Sequence, residues 1–104
     1  MIIKNIRKES EDNNSFRQIL WTGRNSQLVL MSIGIGKEIG TETHDDVDQL
    51  LFIQSGLGKA DLNGEVTEIS DGSVIIVPSG TKHNIINTGE SDLKLYTVYS
   101  PPEH

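Results

Sequence analysis

The sequence predicts an all-β fold, and two observations carry that expectation. From residue 27 onward, short runs rich in Val, Ile, Leu and Tyr alternate with turn signals at intervals of roughly eight to ten residues. Helix signals, meanwhile, are almost absent. Such spacing belongs to a barrel or a sandwich of short strands rather than to alternating strands and helices.

The expected strands are 27–35, 48–54, 59–62, 66–70, 73–77, 83–87 and 93–99. Between them lie Ser55-Gly56-Leu57-Gly58, Asn63-Gly64, Asp71-Gly72, Pro78-Ser79-Gly80 and Thr88-Gly89-Glu90-Ser91. Asn63-Gly64 is the strongest of these signals. A two-residue type I′ turn needs positive φ at both positions, which Asn and Gly accept, so a tight hairpin is expected there. Pro101-Pro102 should end the last strand, because proline has no amide hydrogen to give to a ladder. Before residue 27, Ile2, Ile3 and Ile6 are read as an edge strand and 16–22 as another.

A chain of 104 residues fits one compact domain, 1–104, with little room for a second core. Hydrophobic content of 35% is modest, and an exposed apolar face would gain from a second subunit, so a homodimer is expected. Nine Lys and Arg against 15 Asp and Glu leave a formal charge of −6. That balance excludes a nucleic-acid partner, whose phosphates demand clustered basic residues.

With no cysteine, disulfides, thiolate nucleophiles and Cys-held metals are ruled out. No apolar run reaches the length of a membrane span, and the N-terminus lacks a signal-type hydrophobic stretch. No membrane partner is expected, and a cytoplasmic location is.

The densest polar cluster is Glu42-Thr43-His44-Asp45-Asp46-Val47-Asp48-Gln49. On extended chain, side chains two apart share a face, so Glu42 and His44 point together and Thr43 points away. A second arm, Pro78-Ser79-Gly80-Thr81-Lys82-His83, brings a histidine to the start of a strand. His104 is the terminal residue and is set aside. Asp45, Asp46 and Asp48 lack the spacing and closing Glu of a calcium loop and read as a solvated turn.

Taken together, the two arms resemble the paired motifs of the cupin superfamily. The first, over 36–56, runs Gly36, five residues, Glu42, one, His44, four, Gln49, six, Gly56. The second, over 72–87, runs Gly72, five residues, Pro78, one, Gly80, two, His83, three, Asn87. The resemblance implies a double-stranded β-helix, or jelly-roll, cupin barrel whose inward-facing residues hold one divalent metal ion. At two positions the chain departs from the family set of three histidines and a glutamate. Glu42 stands at the place of the first histidine, and Gln49 at that of the glutamate.

The altered set keeps its chemistry. Glu42, His44 and His83 compose a two-histidine, one-carboxylate triad that leaves coordination positions open, suited to Fe, Mn, Co, Ni or Zn. Gln49 is the conditional member, a neutral amide that either ligates or orients a neighbour. One carboxylate against a divalent ion leaves about one positive charge, which favours anionic or oxygen-chelating ligands. If Gln49 faces inward, Leu51 and Ile53 follow it, and His83 carries Ile85 and Asn87 inward, giving a mostly apolar wall in which most of the aliphatics are expected to serve only as core packing.

The expected function is metal-dependent chemistry on a small oxygenated, sugar-like or enolisable substrate. Isomerase-type chemistry is favoured, since similar small cupins are labelled sugar or mannose-6-phosphate isomerases. An Fe(II) dioxygenase is one alternative, and a non-catalytic binding or sensing module another. No residue is assignable from sequence as a catalytic base.

Overall fold

A computed structural model describes residues 1–103; His104 lies outside the described residues. The chain runs α1 (Ile6–Asp12), β1 (Arg17–Thr22), β2 (Gln27–Ile33), β3 (Asp48–Ser55), β4 (Gly58–Leu62), β5 (Glu65–Ile69), β6 (Val74–Val77), β7 (His83–Asn87) and β8 (Leu93–Ser100). The strands form two antiparallel sheets, one in the order β1-β2-β8-β3-β6 and the other β5-β4-β7. This is the expected jelly roll, with every strand expected from residue 16 onward present to within two residues of its bounds.

Alternation explains how the sheets close over one core. In β3, Gln49, Leu51 and Ile53 are buried, and so are Leu93, Leu95, Thr97 and Tyr99 in β8. Ile75 and Val77 join them from β6, Ala60 from β4 and Ile85 from β7. Each fully buried aliphatic here contributes on the order of 1.5–3 kcal/mol relative to exposure. In β2 every residue but Leu28 is buried, so both faces of that strand are covered.

The covering of the outer face is where the sequence expectation fails. Ile2, Ile3 and Ile6 form no edge strand: Ile2 and Ile3 are exposed and Ile6 opens α1. The reason is local. Asn5 caps the helix by accepting from Lys8 N at 3.0 Å, satisfying an amide the first turn leaves unpaired. Lys8 then pairs with Asp12 one turn on, at 2.7 Å. The helix is fastened to the sheet through fully buried Ser10, through Gln54 Nε2 donating to Glu11 Oε1 at 3.2 Å, and through Lys94 Nζ donating to the Asn13 carbonyl.

The Asn63-Gly64 hairpin forms as expected, with φ of +53° and +89° and Leu62 paired to Glu65 across it. Its tip also reaches the second motif. Asn63 N donates to Lys82 O at 2.8 Å, and Lys82 N donates to Asn63 Oδ1 at 3.0 Å. The segment entering His83 is thereby tied to the turn.

Candidate metal centre

His83 opens β7, the outermost strand of the smaller sheet, and the free edge of that strand is occupied by residues 37–44. Asn87 N donates to Lys37 O and Ile39 N to Ile85 O, both at 2.9 Å. Glu42 and His83 exchange both backbone hydrogen bonds at 2.8 Å, and Gly80 N donates to His44 O at 2.8 Å. The two arms seen in the sequence are therefore zipped together, backbone to backbone.

The register along this edge changes by one residue. Isolated bridges set Glu38 opposite Ile86 and Glu42 opposite His83, a step of four residues on one side and three on the other. The extra residue is accommodated at a bulge around Gly40, whose φ of +102° only glycine adopts readily. Asn84 secures it, accepting from Gly40 N at 2.9 Å and donating to Glu38 Oε1 at 3.2 Å. The slip matters because residues directly opposite in an antiparallel pair project to one face. Glu42 thus shares a face with His83, and His44, two residues on, shares it too.

The result is a compact cluster. Ligand atoms of Glu42, His44 and His83 all lie within 4.8 Å of one another. The two imidazole rings are 5.3 Å apart between centroids, and His44 Nε2 is 2.9 Å from Glu42 Oε2. His83 is 3% exposed, and its Nδ1 lies 2.9 Å from the Thr81 carbonyl oxygen. A carbonyl only accepts, so Nδ1 carries a hydrogen, and in the neutral ring Nε2 is then the nitrogen with the lone pair.

Gln49 sits on the facing sheet, directly opposite Tyr99, and is 3% exposed. Its Nε2 donates to Thr97 Oγ1 at 3.1 Å, while its buried Oε1 has no hydrogen-bond partner among the described residues. A buried acceptor without a partner costs about 1–3 kcal/mol, and a cation or its bound water would satisfy it. On that observation, and on a donor set of two imidazoles and a carboxylate, these residues fit a divalent metal ion.

Two neighbours were not legible in the sequence. The Tyr99 ring stands edge-on to His44 at 5.9 Å. Burial raises its hydroxyl above the ordinary tyrosine value; Arg17 opposes that shift, and Glu42 and Glu103 reinforce it. Glu103 Oε1 lies 2.9 Å from His44 Nδ1. No spacing rule connects a residue beyond Pro101-Pro102 to the first motif. Glu103 also revises the expected charge, because a second carboxylate beside the centre reduces the surplus positive charge expected from Glu42 alone.

Leu51, Ile53 and Ile85 face inward and are packed in the core, the role expected for most of these aliphatics. A polar cavity of about 430 Å³ also reaches His83, lined by Thr41, Asp61, Asn63, Gly64, Lys82, His83 and Asn84; Glu42, His44 and Gln49 are not among its lining residues.

Two antiparallel sheets closed over a His/His/Glu cluster define a cupin-type barrel. The family model described as a cupin domain matches residues 29–99, and the chain belongs to that family. It is 48% identical to the uncharacterized protein YrkC of Bacillus subtilis, over 98% of this chain and 58% of that protein; the chain therefore spans little more than half of that relative. It is 32% identical to an oxalate-binding protein of Thermotoga maritima, over 65% of this chain and 56% of that protein. Among solved structures, BH2720 of Bacillus halodurans superposes with a TM-score of 0.98 at 40% identity, covering 99% of this chain and 83% of that one. No described helix is long and apolar enough to cross a membrane.

Proposed function

We propose that this cupin binds one divalent metal ion through Glu42, His44 and His83, with Gln49 as the fourth donor, and presents it to a small oxygenated, enolisable substrate in isomerase-type chemistry. The observation that carries the reading is the convergence of three ligand atoms within 4.8 Å; the buried Oε1 of Gln49, left without a partner among the described residues, supports the fourth donor. When bound, the metal supplies Lewis-acid polarisation of a carbonyl oxygen. The chain's own residues set the rest. The Thr81 carbonyl holds the His83 ring by its Nδ1, and the Tyr99 ring packs edge-on against His44.

Elemental analysis of protein purified without chelator tests the centre. Ketose/aldose and dioxygenase assays after restoring Mn, Fe, Co, Ni or Zn then test the chemistry. Absence of metal, with a Tm unmoved by any of the five ions, would overturn the reading.

A second reading, ligand binding without turnover, is favoured by one observation. Glu103, the carboxylate found against His44, is engaged by its Nδ1 at 2.9 Å and so is not free to act as a base. The oxalate-binding relative suggests a chelating dicarboxylate as the ligand. Calorimetric titration of oxalate into metal-loaded protein, with the oxalate recovered unchanged, would favour this reading over catalysis.

The homodimer is also a proposal. Ile19 and Trp21 on β1, at the edge of the larger sheet, are 47% and 45% exposed, the kind of face a second copy covers. A monomer mass by light scattering at micromolar concentration would overturn it.

A further inference from the structure

We infer that Glu103 is a positioning residue of the metal centre: its carboxylate accepts the Nδ1 hydrogen of His44 and so keeps the Nε2 lone pair of that ring directed at the ion. The inference rests on the metal reading above and concerns the residue that reading leaves without a role.

A neutral ring has one N–H and one lone pair, and the partner of the first nitrogen decides which form the second takes. His83 has its partner within its own loop, the Thr81 carbonyl 2.9 Å from Nδ1. His44 has no such carbonyl recorded against it. Its Nδ1 faces Glu103 Oε1 at 2.9 Å, and its Nε2 faces Glu42 Oε2, the neighbouring ligand oxygen, at the same distance. Both nitrogens thus face carboxylate oxygens, Nε2 that of a neighbouring ligand and Nδ1 that of a residue outside the ligand set.

The chain path explains how a residue so distant in sequence arrives there. β8 ends at Ser100, and neither Pro101 nor Pro102 can donate to a ladder, so the segment leaves the sheet. It leaves beside Tyr99, whose ring is against His44 and whose hydroxyl feels both Glu42 and Glu103. Tyr99 and His83 contact the His44 ring without fixing which nitrogen points inward. Once Nε2 and Glu42 Oε2 are both turned to the ion, Nδ1 is the nitrogen left to carry the hydrogen, and among the described residues Glu103 Oε1 is the acceptor found against it.

The test compares zinc binding, by competition with a chromophoric chelator, in the wild-type chain, Glu103→Ala, Glu103→Gln and His83→Ala, alongside nitrogen-15 NMR of the imidazoles. Loss of a partner behind a metal-bound histidine typically lowers affinity about 10- to 100-fold. Glu103→Ala is expected to fall in that range, and Glu103→Gln, whose amide oxygen still accepts, to recover part of it. In the zinc-loaded wild type His44 should carry its hydrogen on Nδ1. That signal should broaden into exchange with water in Glu103→Ala, while the Nδ1–H of His83 persists.

Affinity of Glu103→Ala within twofold of wild type would overturn the role of Glu103 alone, provided His83→Ala abolishes binding. A wild-type chain that takes up no zinc would overturn the metal reading and this inference with it. Should Glu103→Ala fail to fold, the wild-type spectrum still decides: His44 with its hydrogen on Nε2 would overturn the assignment.

Discussion

The side-chain amide of Gln49 is held on one side only: Nε2 donates to Thr97 Oγ1, while Oε1, also buried, has no partner among the described residues. The amide is thus fixed in orientation by a residue on β8, with its oxygen left for something else. Replacing Gln49 by Leu removes the orphaned acceptor and keeps the volume, so the metal-free chain should lose little stability. Zinc affinity should fall on the order of 10-fold, whereas His83→Ala should abolish binding. Equal loss in both, measured by chelator competition, would make Gln49 a ligand of the same standing as His83.

The hairpin tip offers a way to disturb the centre without touching it. Asn63 Oδ1 accepts from Lys82 N, and Asn63 N donates to Lys82 O, one residue before His83. Asn63 also has φ of +53°, which alanine adopts at a cost of roughly 1–2 kcal/mol. Asn63→Ala should therefore lower unfolding free energy by about 2 kcal/mol, counting the lost hydrogen bond. It should weaken metal binding several-fold, because the strand entry loses its tether. Asn63→Asp, which keeps an acceptor, should recover part of both in urea titration and metal competition.

How far the sequence led depended on the range of the interactions involved. Strand periodicity and turn chemistry are local, so β2 to β8 and the Asn63-Gly64 hairpin were readable within a residue or two. The pairing of Glu42 with His83 was readable only as two spaced motifs. The Gly40 bulge that brings them onto one face lies in the register between segments, and no single segment reveals it. At the N-terminus, Ile2, Ile3 and Ile6 looked like β-formers, but the Asn5 cap and the Lys8–Asp12 pair favour a helical turn. Glu103 was invisible for the opposite reason, since its partner His44 is joined to it only through the tertiary fold.

The core makes a plainer prediction. Leu51 is fully buried between the two sheets, paired to Thr97 on one side and Ile75 on the other. Truncation to alanine leaves a cavity that central strands, hydrogen-bonded on both edges, cannot collapse into. The expected loss is about 2–5 kcal/mol, read as a shift of the urea midpoint with an unchanged slope. A loss under 1 kcal/mol would mean that the interior repacks.

Tyr99 ties stability to pH. Burial raises its hydroxyl above the ordinary tyrosine value near 10, so the unfolded chain releases this proton at lower pH than the folded one. The protonated hydroxyl's contribution is fully present below about pH 10 and is lost as pH rises through the folded value. The metal-free chain should accordingly show a Tm that falls on the alkaline side of pH 10. Tyr99→Phe, which has no proton to release, should show a shallower fall over the same interval. Thermal melts of both proteins from pH 8 upward check this, and parallel curves would show that the Tyr99 hydroxyl is as well solvated in the folded state as in the unfolded one.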